Sequence, residues 1–329
     1  MTFKKKSNNK DAFEKITNQI VEALENGLNN ESWKCPWDRM TSVATNAKTG
    51  KRLIGVSQII CYMSMVQHGF EVNRWLTFKQ AIELGGKVIK GSKSTLVFWL
   101  RPFLKDENGK LFSPNQERIQ QAMENGEEII WSYRFAPYFN VEQIEGLDET
   151  FYQPLSQEGL SGLGETFSPI TQAEAFVQLL KDSEDPFKLM HKGNKAFYSP
   201  LTDSVTVPEK GKFHSEQAYY ATVLHEAGHW TGAENRLSRE GIVDFDSFGS
   251  DRYAFEELIA ELFSVFKAAD IGFEREIDDS HVKYIRSWIK ILKNDHKAIF
   301  KASQEAMKAV RFVDKLTDYQ ADLFDDQVA

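Results

Sequence analysis

Two histidines four residues apart, His225-Glu226-Ala227-Gly228-His229, are the residues of this chain best spaced to do chemistry. On a helix, positions four apart lie about one turn from each other on one face, so both imidazoles can reach a single metal ion. Glu226, beside the first imidazole, is then placed to handle the proton of a water activated by that metal. The chemistry implied is metal-assisted hydrolysis of a peptide bond, with one Zn2+ per chain and Mn2+ or another divalent ion as the alternative. A catalytic zinc usually takes three protein ligands, so one must come from elsewhere. The segment Tyr253-Ala254-Phe255-Glu256-Glu257-Leu258-Ile259-Ala260-Glu261-Leu262 offers the best set. Its Glu257 and Glu261 share a helix face, whereas Glu256 points about 100° away from Glu257. Glu257 is therefore the expected third ligand and Glu261 the carboxylate that orients a ligand histidine. His214 and Asp251 are substitutes in less helical surroundings. Tyr253 is a candidate donor to the oxyanion that develops as a carbonyl is attacked, or a side chain that packs on the helix.

These residues need two helices to hold them. Ser215 is a plausible N-cap and Glu216 a first-turn acid, and Tyr219, Tyr220, Val223, Leu224 and Ala227 follow at helical spacing. Gly232 is the expected left-handed C-terminal stop. Phe255, Leu258, Ile259 and Leu262 mark the buried side of the second helix. Upstream, Phe13, Ile16, Ile20 and Leu24 form a helical stripe, residues 56–70 and Lys79–Leu84 read as helices, and 94–103 and Arg134–Val141 as strands. Thr171–Lys181 reads as a helix, Lys195–Ser199 and Ser204–Pro208 as a hairpin, and Asp278 to about Leu316 as helical with Val282, Ile285, Trp288, Ile289 and Leu292 on one side. The stretch from Gly146 to Pro169 is rich in Gly, Ser, Pro and Glu without periodicity. The expected fold is α+β in two domains: an α+β module over 1–147, a linker over 148–169, and a mostly helical domain with a small hairpin over 170–329.

Charge is segregated along the chain. Residues 48–105 hold ten Lys or Arg against two acids, while the residues beyond 105 hold 23 basic and 40 acidic groups. The overall charge of −8 thus hides a cationic stretch of +8 and an acidic remainder of −17. Basic groups interleaved with Trp33, Trp37, Trp75, Phe78, Phe98, Trp99 and Phe103 suit a binder of single-stranded nucleic acid, which pairs cations with phosphates and rings with bases. Lys87, Lys90 and Lys93, around Gly86 and Gly91, are expected phosphate contacts together with Lys48, Lys51 and Arg52, and Trp75 is the ring assigned to stacking.

His225 to Gly232 (HEAGHWTG), Asn235-Arg236-Leu237, Phe248-Gly249-Ser250 and YAFEELIAEL resemble the antirestriction protein ArdC family. The likeness extends through Phe197-Tyr198-Ser199-Pro200 and Asp203-Ser204-Val205-Thr206-Val207-Pro208. It continues in Trp33-Lys34-Cys35-Pro36-Trp37, Asn46-Ala47-Lys48-Thr49-Gly50, Trp75-Leu76-Thr77-Phe78, Gly86–Gly91 and Phe139–Gln143. Gly55-Val56-Ser57 departs from the Gly-x-Asn more usual there. The resemblance implies a single-strand DNA-binding domain followed by a zincin-like metallopeptidase domain, protecting incoming plasmid or phage DNA. The partners it implies are single-stranded DNA and a protein substrate whose identity the sequence does not give. Two other readings remain open: a DNA-coating protector whose metal site is structural, and an acidic mimic of duplex DNA, which would gain nothing from the cationic stretch.

A chain of 329 residues with 41% hydrophobic content can fill two cores. Cys35 and Cys61 lack metal-site or redox spacing and read as reduced thiols. The basic start, Met1 to Lys6, is followed by no apolar core of a secretory signal, and no apolar run is long enough for a membrane span. The expected location is the cytoplasm.

Overall fold

The computed structural model describes residues 9–28, 37, 39–153, 169–244, 251–276 and 282–319. Trp33, Cys35, Phe248-Gly249-Ser250, the first eight residues and 154–168 of the expected linker lie outside them.

The first half begins with helix α1 (Asn9–Leu28), whose Phe13, Ile16, Ile20 and Leu24 are all buried. There follow β1 (Thr45–Asn46), α2 (Val56–His68), β2 (Arg74–Thr77), α3 (Phe78–Glu83), β3 (Lys87–Val88), β4 (Thr95–Lys105), β5 (Leu111–Phe112), α4 (Gln116–Glu124), β6 (Ile130–Asn140) and β7 (Ile144–Glu145). Strands β1, β2, β6, β4 and β5 form one sheet in that order. Its spine is the long antiparallel pair β4–β6, in register from Thr95 opposite Tyr138 to Phe103 opposite Ile130. Local chemistry sets the ends of the helices. Gly69, in the left-handed region at φ 70°, stops α2, and Thr77 and Gln80 close a reciprocal capping box that starts α3. Residues 148–153 pack back onto this half, where Tyr152 donates to the Ile144 carbonyl at 2.6 Å and Arg74 to the Thr150 carbonyl at 2.7 Å.

The second half comprises α5 (Pro169–Asp182), β8 (Leu189–His191), β9 (Phe197–Ser199), β10 (Ser204–Val207), α6 (Glu216–Trp230), α7 (Glu240–Val243), α8 (Asp251–Ile271), α9 (Val282–Asn294) and α10 (Ala298–Thr317). The expected hairpin is β9–β10, and β8 adds a parallel strand on the other side of β10. The stretch expected to be helical from Asp278 to about Leu316 is two helices, α9 and α10. It breaks at Asp295–Lys297, where the Asp295 carboxylate accepts from the Lys297 N–H at 2.9 Å and Thr17 from α1 donates to the His296 carbonyl at 2.7 Å. An aspartate that bonds its own backbone two residues on favours a turn over a continuing helix.

Among the described residues, the largest hydrophobic cluster runs through both halves, and two smaller ones lie in the first half. Phe13 of α1 meets Tyr133 and Phe135 of β6 and Phe300 of α10 edge to face, at ring separations of 5.0, 5.2 and 4.7 Å. The halves also share buried charge: Arg52, just after β1, pairs with Asp270 at the end of α8, and Lys267 of α8 pairs with Asp314 of α10. Among the described residues, no helix is long and apolar enough to cross a membrane.

Candidate metal centre

Helix α6 starts as expected, with the Ser215 hydroxyl accepting from the Ala218 N–H at 3.0 Å. Its Tyr219, Tyr220, Val223, Leu224, Ala227 and Trp230 are buried, and so are His225, Glu226 and His229. A helix buried nearly all round must find partners for its polar side chains, because an unpaired buried polar group is costly. Helix α8 supplies them. It crosses so close to α6 that a Cβ on Gly228 would lie 2.9 Å from the Ala260 Cα, a contact with backbone that cannot give way. Gly228→Ala would gain helix propensity but force the helices apart. We expect it to weaken metal binding by about 10- to 100-fold, the scale seen when ligand support is disturbed; metal titration checks this.

The end of α6 differs from expectation. The C-cap is Thr231 in right-handed helical geometry, and Gly232 has no positive φ. Gly232 is needed for another reason. A Cβ there would meet the Arg239 guanidinium at 2.7 Å and the Ile242 side chain at 2.8 Å, so only glycine lets the turn after α6 approach that arginine.

His225, His229 and Glu257 each place a ligand atom within 4.8 Å of the others, all buried. The two oxygens of Glu257 divide between the histidines: Oε2 lies 3.5 Å from His225 Nε2, and Oε1 lies 3.6 Å from His229 Nε2. Behind the rings, each Nδ1 faces a carboxylate that is itself clamped by an arginine. His225 Nδ1 is 3.5 Å from Glu261 Oε2, and Arg275 grips Glu261 with three contacts of 3.0 to 3.1 Å. His229 Nδ1 is 3.3 Å from Glu256 Oε1, and Arg239 holds Glu256 at 2.6 and 3.0 Å. Arg239 also donates to Thr231 Oγ1 at 2.8 Å and to the Gly228 carbonyl at 2.6 Å, tying α6 to the same pair. A carboxylate behind Nδ1 keeps the proton there and leaves the Nε2 lone pair free for a metal.

Charge balance makes the same point. Glu226, Glu256, Glu257 and Glu261 bring four buried negative charges and Arg239 and Arg275 two positive ones, leaving −2 with neutral imidazoles. A divalent cation cancels that remainder, and the nitrogen and oxygen donors suit one of borderline hardness such as zinc or manganese. Without it, protons take its place. Burial alone would depress the His225 pKa, but Glu257 and Glu261 override it and push it up to about 10. Burial would raise Glu257, yet His225 and His229 hold it down at about 2. In chelated protein, the stabilisation from His225 is therefore full below its ordinary value of 6.5 and lost as pH rises through about 10. That from Glu257 is full above 4.5 and lost as pH falls towards about 2. We expect the melting temperature of the chelated protein to fall between pH 7 and 10, and metal to restore more stability at the upper end. Calorimetry across that range measures both.

Tyr253 lies one turn before Glu257 on α8, half-buried, with its hydroxyl 3.2 Å from that of Tyr284. Burial and the Glu257 charge raise its pKa, so the hydroxyl keeps its proton and can donate. His214 and Asp251 stand apart from the cluster, paired with Glu276 and Lys290. The sequence reading missed Glu256, Arg239 and Arg275. Its direction for Glu256, away from Glu257, leads to the second histidine, and a usable signal was that two ligand histidines need two acceptors.

The expected nucleic-acid contacts divide. Lys48, Lys51, Lys87, Lys90 and Lys93 are exposed, although Lys48 is paired with Glu83 at 2.5 Å and Lys87 sits opposite Glu145 in the β3–β7 pair. Arg52 and Trp75 are corrections. Arg52 is 7% exposed and committed to Asp270, and Trp75 is fully buried with its indole N–H donating to Asn73 at 2.8 Å, so neither presents itself to a strand.

Residues 172–305 match the family described as a zincin-like metallopeptidase, and residues 10–141 match the N-terminal domain of anti-restriction factor ArdC. Two proteins of Escherichia coli named DNA primase TraC are 34% and 32% identical over 91% of this chain, which spans 20% and 27% of their lengths. The uncharacterized protein y4eC of Sinorhizobium fredii is 31% identical, with 91% of this chain and 90% of that one covered. The crystal structure of the antirestriction protein ArdC from plasmid R388 in its metal-free form superimposes with a TM-score of 0.70 at 28% identity, over 94% of this chain and 98% of the other. Its Mn(II)-bound form gives 0.67 at 28% identity, over 93% and 97%. With both halves matched by family and the whole architecture shared, this chain belongs to the ArdC antirestriction family.

Proposed function

We propose that this protein protects incoming mobile-element DNA from restriction, binds single-stranded DNA without sequence preference, and carries a zinc-dependent peptidase site formed by His225, His229 and Glu257. The observation that carries the peptidase reading is the convergence of those three donors beside Glu226, with both histidines backed by clamped carboxylates. When bound, the metal supplies Lewis acidity that polarises a peptide carbonyl and lowers the pKa of water. The chain's own groups do the rest. Glu261 and Glu256 hold the Nδ1 protons and fix both rings. Glu226, which has no hydrogen-bond or ion-pair partner among the described residues, takes a proton from the attacking water and passes it to the leaving nitrogen. The Tyr253 hydroxyl donates to the developing oxyanion. Strand β9, at the edge of its sheet, holds a peptide extended by strand addition.

One observation favours a second reading, in which the metal is structural and protection comes from coating the strand. His225, Glu226 and Glu257 are 5%, 7% and 4% exposed, a tight space for a peptide. Transformation of unmodified DNA into restricting cells, with wild-type protein and Glu226→Gln, separates the two. Loss of protection in the variant supports the peptidase reading; full protection with intact metal content supports the second.

A further inference from the structure

An open groove of about 1010 Å3 lies where the far ends of β4 and β6 meet the start of α1 and the turn between α9 and α10. It is at the upper limit of small-molecule pockets and open along its length, so its shape suits a stretch of polymer. Its walls are basic: Lys10, Arg134, Lys297 and Lys301 line it against one lining acid, Asp295. Lys301 is paired with Asp295 at 2.9 Å, whereas Lys10, Arg134 and Lys297 have no salt bridge among the described residues. The pairing of β4 with β6 puts Trp131 and Tyr133 on one face of the sheet and Phe103 and Arg134 on the other. Trp131 is 45% exposed, and Phe103 carries the guanidiniums of Arg101 and Arg134 above its ring at 5.7 and 5.5 Å. The lysines near Gly86 make a weaker case, since no exposed tryptophan stands among them.

We infer that a single-stranded polynucleotide lies in this groove, with bases stacked on Trp131 and phosphates on Lys10 and Lys297. The inference rests on the single-strand binding proposed above and deepens it: the site is built jointly by the two halves, because Lys297 and Lys301 come from the half that carries the metal centre. The strand therefore contacts both halves of the chain.

The test is fluorescence anisotropy of the full chain with labelled oligodeoxythymidine and oligouridine over a range of salt. Trp131→Ala is expected to weaken binding about 5- to 100-fold and Trp131→Phe to restore most of it. Lys10→Ala with Lys297→Ala is expected to flatten the slope of log affinity against log salt by about 1.4. Lys87→Ala, Lys90→Ala and Lys93→Ala together are expected to weaken binding less than Trp131→Ala alone. If wild type binds neither oligonucleotide, the single-strand reading falls and the groove with it. If wild type binds, and affinity is lost in the triple lysine variant but kept in Trp131→Ala, the groove alone is overturned. Tighter binding of oligodeoxythymidine supports DNA as the occupant, and tighter binding of oligouridine overturns that occupant in favour of RNA. Unchanged metal content and melting temperature in each variant keep a loss of binding from being a loss of fold.

Discussion

Glu226→Gln is expected to bind metal as wild type does and to hydrolyse peptides about 100- to 10,000-fold more slowly, the usual contribution of a positioned general base. The amide keeps the shape and burial of the carboxylate but cannot accept a proton. Glu226 belongs to neither arginine clamp, so its replacement leaves His225, His229 and Glu257 in place. The loss should fall on kcat with little change in KM, because the group acts as the water attacks. His225→Ala is the contrasting variant: it removes a donor and should abolish both metal retention and hydrolysis. Equal activity of Glu226→Gln and wild type, at equal metal content, would remove the glutamate from the mechanism.

Arg239→Ala is expected to cost about 3–5 kcal/mol of stability, because it strands a buried carboxylate. Glu256 is 2% exposed, and Arg239 is its main cationic partner besides His229. The arginine also bonds Thr231 and the Gly228 carbonyl, so its loss frees the end of α6 as well. Lysine should not rescue it, since a single ammonium cannot span Glu256, Thr231 and the carbonyl together. Arg239→Met with Glu256→Leu separates the two roles. Stability should recover in part, because an apolar pair replaces a buried ion pair at little cost while the bonds to Thr231 and the Gly228 carbonyl stay lost. Metal affinity should stay about 10- to 100-fold weaker, because His229 still lacks its acceptor. Denaturant unfolding and metal titration of the same samples read the two quantities. Full recovery of affinity in the double variant would show that Glu256 serves stability alone.

The sequence showed those parts of the site that depend on one helix at a time. His225 and His229 share a face through the helical repeat alone, as do Glu257 and Glu261. What it could not show depends on how two helices cross. That Glu256 reaches His229 follows from the close contact of Gly228 with Ala260, and Arg239 and Arg275 enter from segments outside either helix. The nucleic-acid contacts were less legible because charge and ring content do not say which residues face inward. Arg52 reads as one more cation in a basic stretch, yet its partner Asp270 lies 218 residues away. Trp75 reads as an available ring, but its strand runs through the middle of the sheet. Trp131 escaped notice because it lies beyond the basic stretch, on a strand whose alternation gives no sign of an open groove beside it. The turn at Asp295 that helps to build this groove was hidden in a sequence reading as one continuous helix.

The proposed peptidase site requires a metal held by His225, His229 and Glu257. Elemental analysis of protein purified without chelator, alongside His225→Ala and Glu257→Ala prepared identically, is its most direct test. One equivalent of a divalent transition metal per wild-type chain is expected, and nearly none in either variant. Wild-type protein that carries no metal, or variants that retain it in full, would contradict the proposed site.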